Sequence, residues 1–312
     1  MISLKQLWDL WRRFFFQSCS PYSLAVFRIF FGLVVLESAL INLPEVPHWY
    51  GVHGLISLQL VKQLLGNRCL DILLFLPAND LSVWLFYSFY ILCAALVCCG
   101  FMTRFSSVGL YLCITTLQFR NPIINNNGDD LMRVFALFLM FSSAGAALSV
   151  DFLIKKKKSG KPDLQPEKIS PWPIRFLQLQ MAIGYFLYFW TKTMGSTWLD
   201  GTAVYYVLHN FQLEHFAWPL DKSNMLISKL LTWGTLLIEF FLWNLIWIKE
   251  LRYYMIVGAL LLHGGLELTL NIPVFQHVIF CGLLLFVFPE DMERAVTQLL
   301  SMTRAKEAEQ ST

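Results

Sequence analysis

Apolar residues gather in eight stretches along the chain, 23–43, 81–100, 105–120, 130–150, 173–194, 226–248, 253–271 and 273–288. Each approaches the roughly 20 residues a helix needs to cross a hydrocarbon core of about 30 Å. Inside lipid, a lone segment satisfies its own backbone only as a helix. The pattern therefore predicts an all-α polytopic membrane protein with about eight transmembrane helices. The third and eighth stretches are short. Asn271-Ile272-Pro273 makes a tight turn between the last two, where proline ends one helix and opens the next without removing a needed N–H.

Two gaps are longer than turns, 44–80 and 195–225. The first carries Pro44, Pro47, Trp49, Tyr50, Gly51 and Gly54, then apolar positions at helical spacing over 55–65. That arrangement predicts an interfacial helix flanked by Trp and Tyr. The second holds Trp198, Tyr205, Tyr206, His209, Phe211, His215, Phe216 and Trp218, an aromatic density expected of a lid packed at the membrane surface.

Charge sets the orientation. Lys5, Arg12, Arg13, Arg104, Lys155–Lys158, Lys161, Lys168, Arg175, Lys249, Arg252, Arg294, Arg304 and Lys306 fall on one side of the predicted bilayer. Only Lys62, Arg68, Arg120, Lys192, Lys222 and Lys229 fall on the other, with Arg28 and Arg133 inside spans. Such asymmetry predicts a multi-pass protein of the cell membrane with both termini in the cytoplasm. The expected organisation is a cytoplasmic segment over 1–19, a membrane domain over 20–290 and a cytoplasmic tail over 291–312. The Lys155–Lys158 run is expected to meet anionic lipid.

Composition narrows the function classes. Hydrophobic residues make up 56% of the chain, charged residues only 14%, and mean hydropathy is +0.55. A soluble domain carries about 25% charged residues. The net charge of +3 is placed by topology rather than gathered on one surface, so no nucleic-acid partner is expected. Seven cysteines lie mostly within apolar runs and lack CxxC spacing, which argues against a disulfide framework or a metal site. Arg28 and Glu37 interrupt the first apolar run, and no small-residue cleavage pattern follows, so that run is a retained span rather than a leader.

Ionisable residues within spans are the chemical candidates, because lipid makes them costly unless paired or wetted. Arg28 and Glu37 are about 13–14 Å apart along a helix and cannot pair with each other. Their candidate partners are Asp129, Asp130, Arg133, Glu239, His263 and Glu267. Two pairs have the spacing to satisfy themselves on one helix: Asp129 or Asp130 with Arg133, and His263 with Glu267. The stretch from Arg120 and Asn121 through Asn125-Asn126-Asn127-Gly128-Asp129-Asp130 suits a helix start. It suits the lining of a polar cavity equally well. Lys192, near the end of a span, either snorkels to the interface or lies buried under the aromatic lid as a general base.

Several segments resemble the HTTM (horizontally transferred transmembrane) domain, which forms the membrane part of vitamin K-dependent gamma-glutamyl carboxylase. They are Ser23 through Gly32 with Glu37, Trp49-Tyr50-Gly51-Val52-His53-Gly54, Arg120-Asn121 through Asp129, and Lys192 with Trp198 and Gly201. They keep the family's order over roughly residues 20–290. The resemblance implies that Lys192, the lysine preceding Trp198-Leu199-Asp200-Gly201, is the catalytic base that deprotonates a quinol such as vitamin K hydroquinone. In the carboxylase, the strong base so formed removes a glutamate γ-proton before CO2 adds. Arg28, Arg120, Asn121, Asn127, Asp129 and Trp198 are then the candidate substrate-binding residues, with Arg28, Asn121, Asp129 and Lys192 around one outer-leaflet pocket. The sequence departs from the carboxylase in two ways: its asparagine segment has no histidine, and a charged tail follows Pro289. Carboxylation of protein glutamate is therefore not expected.

Two functions stay open. The first is a membrane enzyme, a carboxylase-like protein or an oxidoreductase, that uses a quinone or other lipid, with a quinone as its expected cofactor. The second is a non-catalytic membrane partner in the export, maturation or assembly of a secreted peptide or protein. No duplicated halves or paired broken helices favour a transporter.

Overall fold

A computed structural model describes the chain apart from residues 1–2, 58–59, 62, 64–69, 216–224 and 311–312, with backbone alone over 303–310. The described residues are helical throughout, with two isolated β-bridges. In chain order the helices are α1 (Leu4–Phe16), α2 (Tyr22–Ile41), α3 (Val46–Tyr50), α4 (Asp80–Cys99), α5 (Thr103–Arg120), α6 (Asn127–Met140) and α7 (Val150–Ser159). They continue as α8 (Trp172–Thr193), α9 (Ser196–Leu199), α10 (Ala203–Leu208), α11 (Met225–Leu245), α12 (Arg252–Thr269), α13 (Phe275–Leu284) and α14 (Pro289–Gln310).

Helices occupy all eight predicted stretches, yet among the described residues only α2, α4 and α11 are long and apolar enough by themselves to cross a membrane. A fourth span results if Phe275–Leu284 and Pro289–Met302 are taken as one broken span. The 130–150 stretch shows why prediction and structure differ. Its helix stops at Met140, and the chain turns through a 3₁₀ turn at Ala144–Ala146 and a left-handed Leu148 (φ 48°). Hydropathy does not register that turn, because its residues are apolar. The predicted 55–65 helix lies partly outside the described residues, and Lys62, Arg68, Cys69, Phe216, Trp218 and Lys222 lie outside them.

The chain divides into two compact units, residues 1–176 with 287–312, and residues 177–286. In the first, α2 packs on α4, α4 on α5 and α5 on α6. Phe27 and Phe31 stack 5.7 Å apart, and Phe135 meets both edge-on. Gly32 permits the tightest crossing, since a Cβ there would sit 2.7 Å from the Cα of Cys98. Outward from this core point Phe30, Leu33, Leu85, Phe89, Leu92 and Phe105, an apolar exterior suited to lipid. Local caps fix the helix ends. The Asn79 side chain accepts from Ser82 N, Gly100 (φ 68°) closes α4, and Asn126 with Asp129 forms a capping box on α6. Asp151 caps α5 across the chain, accepting from Met102 N and Thr103 N at 2.8 Å each.

In the second unit, residues 186–205 run antiparallel beside α11. The rungs are Phe186 on Trp243, Phe189 on Phe240, Trp233 Nε1 donating to Leu199 O, and Tyr205 N donating to Ser228 Oγ. Gly201, with φ 83°, brings the chain so close to α11 that a Cβ would lie 2.6 Å from Lys229 Cγ. The predicted lid is packed. Leu208 and Leu270 form a small core with Val204, Val207, Leu213, Leu266 and Ile272. Asn271 N and His215 N donate to Leu213 O and Thr269 O, joining the lid to the end of α12.

Candidate functional site

Lys192 lies in the second unit on α8, and Glu239 faces it from α11 in a direct Nζ–carboxylate ion pair. The Glu239 side chain is 7% exposed and the Lys192 side chain 24%. Trp198 and Tyr188 cover the ammonium, with ring centroids 5.0 and 5.9 Å from Nζ. Glu239 Oε2 has no hydrogen-bond partner among the described residues, so the pair keeps one buried acceptor free. The lysine does not sit at the end of the apolar array. Residues 194–205 continue along α11 beyond it, and Glu239 is past the middle of that span counted from Met225. Lys192 is half-buried and paired with Glu239.

A second polar group shares the unit. Tyr185 Oη lies 2.9 Å from His263 Nε2, and His263 Nδ1 lies 2.6 Å from Gln276 Oε1. An amide oxygen only accepts, so Nδ1 carries the proton and Nε2 accepts the tyrosine hydroxyl. Tyr185, Tyr188 and Lys192 recur at i, i+3 and i+7 on one stripe of α8. His263 thus pairs with Tyr185 and Gln276 rather than with Glu267, which lies 3.7 Å from His277. The other predicted pair forms as expected, with Arg133 2.7 Å from Asp130. Sequence reasoning named Glu239 and His263 only as possible counter-charges, and it missed Tyr185 and Gln276. A lone carboxylate within the apolar run of 226–248 was the available signal.

The remaining candidates lie in the first unit, at two opposite ends. Arg28 is fully buried, donating to Ala144 O (2.7 Å), Ala147 O (3.3 Å) and Leu148 O (2.5 Å). It holds the turn that ends the α6 region. At the other end of the bundle, Arg120 donates to Tyr50 O and Gly51 O, and Asn121 to Trp49 O. The structure therefore brings Arg120 and Asn121 together with the 49–51 segment and leaves Arg28 a helix length away.

Gln118 and Asn125 tie this second end to Asp129, through Gln118 Nε2 to Asp129 O (2.6 Å) and Asn125 Nδ2 to Gln118 O (2.9 Å). Asp129 spends its carboxylate on the Asn126 amide, and Asn127 is exposed. Burial raises the Asp129 carboxyl above its ordinary range, against the pull of that amide. Asp71 is raised likewise by burial, opposed by the Leu73 amide and the Arg120 charge. Arg120 Nη1, Asp71 Oδ2 and Gln118 Oε1 are buried without partners among the described residues, leaving one donor and two acceptors for a polar group. No cluster of three or more metal-ligating side chains occurs among the described residues.

No curated protein and no solved structure matches the chain. The family comparison does give a match, to the HTTM domain over residues 16–290, most of the chain. The chain therefore belongs to the HTTM domain family and is an integral membrane protein.

Proposed function

We propose that this protein is a membrane enzyme whose Lys192–Glu239 pair accepts a proton from a lipid-soluble hydroxyl compound of the quinol class. The single observation that carries the reading is an ion pair with a buried carboxylate and a half-buried ammonium, roofed by Trp198 and Tyr188, in an apolar helix array with one carboxylate oxygen free. Burying a charge pair costs several kcal/mol per ion in desolvation, which direct pairing only partly offsets. Such pairs within membranes mark proton or substrate sites by default.

The proton balance is simple. The pair begins as ammonium and carboxylate, neutral overall. A quinol O–H transfers its proton to Glu239 Oε2, leaving a neutral acid beside the Lys192 ammonium. The pair then carries one positive charge, complementary to the quinolate oxygen just formed. Tyr188 and Trp198 supply flat apolar faces for an aromatic ring. Arg120, Asn121 and Asp129 are proposed to hold a polar group at their own end of the first unit. Arg28, at the opposite end, is proposed to act only as a clamp on backbone.

All eight helices in the predicted stretches are proposed to lie in the membrane, with both termini cytoplasmic. The competing reading, a non-catalytic partner of a secreted protein, draws on Tyr206 and Phe211, which point outward from the lid. Turnover separates the two. In proteoliposomes with dioxygen as electron acceptor, Lys192→Ala is expected to lower quinol oxidation by at least about 100-fold, because the quinolate formed on proton transfer to Glu239 loses its counter-charge. Lys192→Arg is expected to fall less far, because guanidinium keeps the positive charge but not the point-charge geometry against Glu239. Wild-type turnover in both variants would remove Lys192 from the mechanism.

A further inference from the structure

Helix α1 has no buried residue, although most of its 13 residues are apolar. At 3.6 residues per turn, Leu4, Leu7, Trp8, Leu10 and Trp11 fall on one face, while Lys5, Gln6, Asp9, Arg12 and Arg13 fall on the other. All five of those apolar side chains are exposed. The helix is nevertheless well formed. Ser3 and Gln6 make a capping box, and Trp8 and Trp11 stack 5.0 Å apart. Its far end is fastened to the bundle, with Arg175 Nε donating to Phe14 O, the Arg175 guanidinium over the Phe14 ring, and Phe15 against Phe176. An apolar stripe held at a fixed place, on an ordered helix, has an occupant.

We infer that α1 lies flat on the bilayer as an interfacial helix whose partner is an anionic phospholipid surface. Three observations select lipid over protein. The helix ends six residues before α2, a candidate span, so its stripe meets the bilayer where that span enters. Its composition is that of interfacial helices, with tryptophans on the apolar face and basic residues on the polar one. Charge at that end selects the headgroup. Cys19 and Ile169 bridge backbone to backbone, joining the exit of α1 to the segment that follows Lys155–Lys158, Lys161 and Lys168. Lys5, Arg12 and Arg13 thus belong to the most basic end of the first unit, where an anionic surface is attracted electrostatically. None of this depends on the proposed chemistry of Lys192.

Photocrosslinking of the full chain in vesicles tests the inference. The photoreactive residue p-benzoylphenylalanine replaces Trp8 or Trp11 on the apolar face, or Gln6 or Asp9 on the polar one; none of these sites is buried. Lipid adducts are expected from positions 8 and 11 and not from 6 and 9. Their yield should rise about threefold when phosphatidylglycerol replaces part of the phosphatidylcholine, and the double variant Arg12→Gln/Arg13→Gln should abolish that rise. Adducts to a second copy or to another protein, equal labelling of both faces, or a yield indifferent to phosphatidylglycerol would each overturn it. Quinol turnover is measured on the same samples, so loss of α1 contacts and loss of catalysis are told apart.

Discussion

Arg28 shows how a charge can be trapped in an apolar helix without a counter-charge. Its sequence position called for an acidic partner, but among the described residues it forms no ion pair and is solvated by three backbone carbonyls. Those carbonyls exist only because α6 ends early and the chain turns, a feature written in apolar residues that periodicity does not resolve. Lys192 and Glu239 were visible as charges in apolar runs, whereas their pairing depends on how residues 194–205 return along α11. Replacing Arg28 by Met would leave the turn carbonyls buried without donors, a loss of about 2–5 kcal/mol. Lys in that place keeps the charge but loses the fork and should fall between. Thermal unfolding in detergent reads the order wild type, Lys, Met; equal stability of all three would deny the clamp.

Among the elements, α2 and α4 meet most closely where Gly32 faces Cys98. Glycine there removes the side chain that would hold two backbones apart, a device suited to membranes, where packing rather than hydrophobic expulsion drives association. Gly32→Ala places a methyl where 2.7 Å is available and should cost about 1–3 kcal/mol, read as a lower unfolding temperature. An unchanged temperature would mean that the helices separate freely. The hydrophobic pattern located every helix in the predicted stretches, because each turn of helix repeats the same apolar signal. It misjudged helix ends, which caps and backbone conformations decide. Asn126 with Asp129 was legible as a helix start, while the 3₁₀ turn at Ala144–Ala146 was not.

Across the first unit, charge separates by end. Arg104, Lys155–Lys158 and α1 share one end with Arg28, while Asp71, Asp80, Asp129 and Asp130 share the other with Arg120. That separation is the three-dimensional form of the loop charge bias and supports a cytoplasmic basic end. Single cysteines at Lys157 and Ile123, both exposed, test it in a cysteine-free background. Ile123→Cys should react with an impermeant maleimide on intact cells and Lys157→Cys only after permeabilisation; the reverse would invert the topology.

On this reading the Lys192–Glu239 pair exists for proton transfer rather than for packing. A double-mutant cycle in proteoliposomes, reading unfolding and quinol turnover together, addresses it most directly. Lys192→Met alone strands a buried carboxylate and should destabilise the fold by about 3–5 kcal/mol, and Glu239→Leu alone strands the ammonium. The double variant, apolar throughout, should recover most of that stability and still show no turnover. A double variant that is stable and oxidises quinol at the wild-type rate would contradict the account.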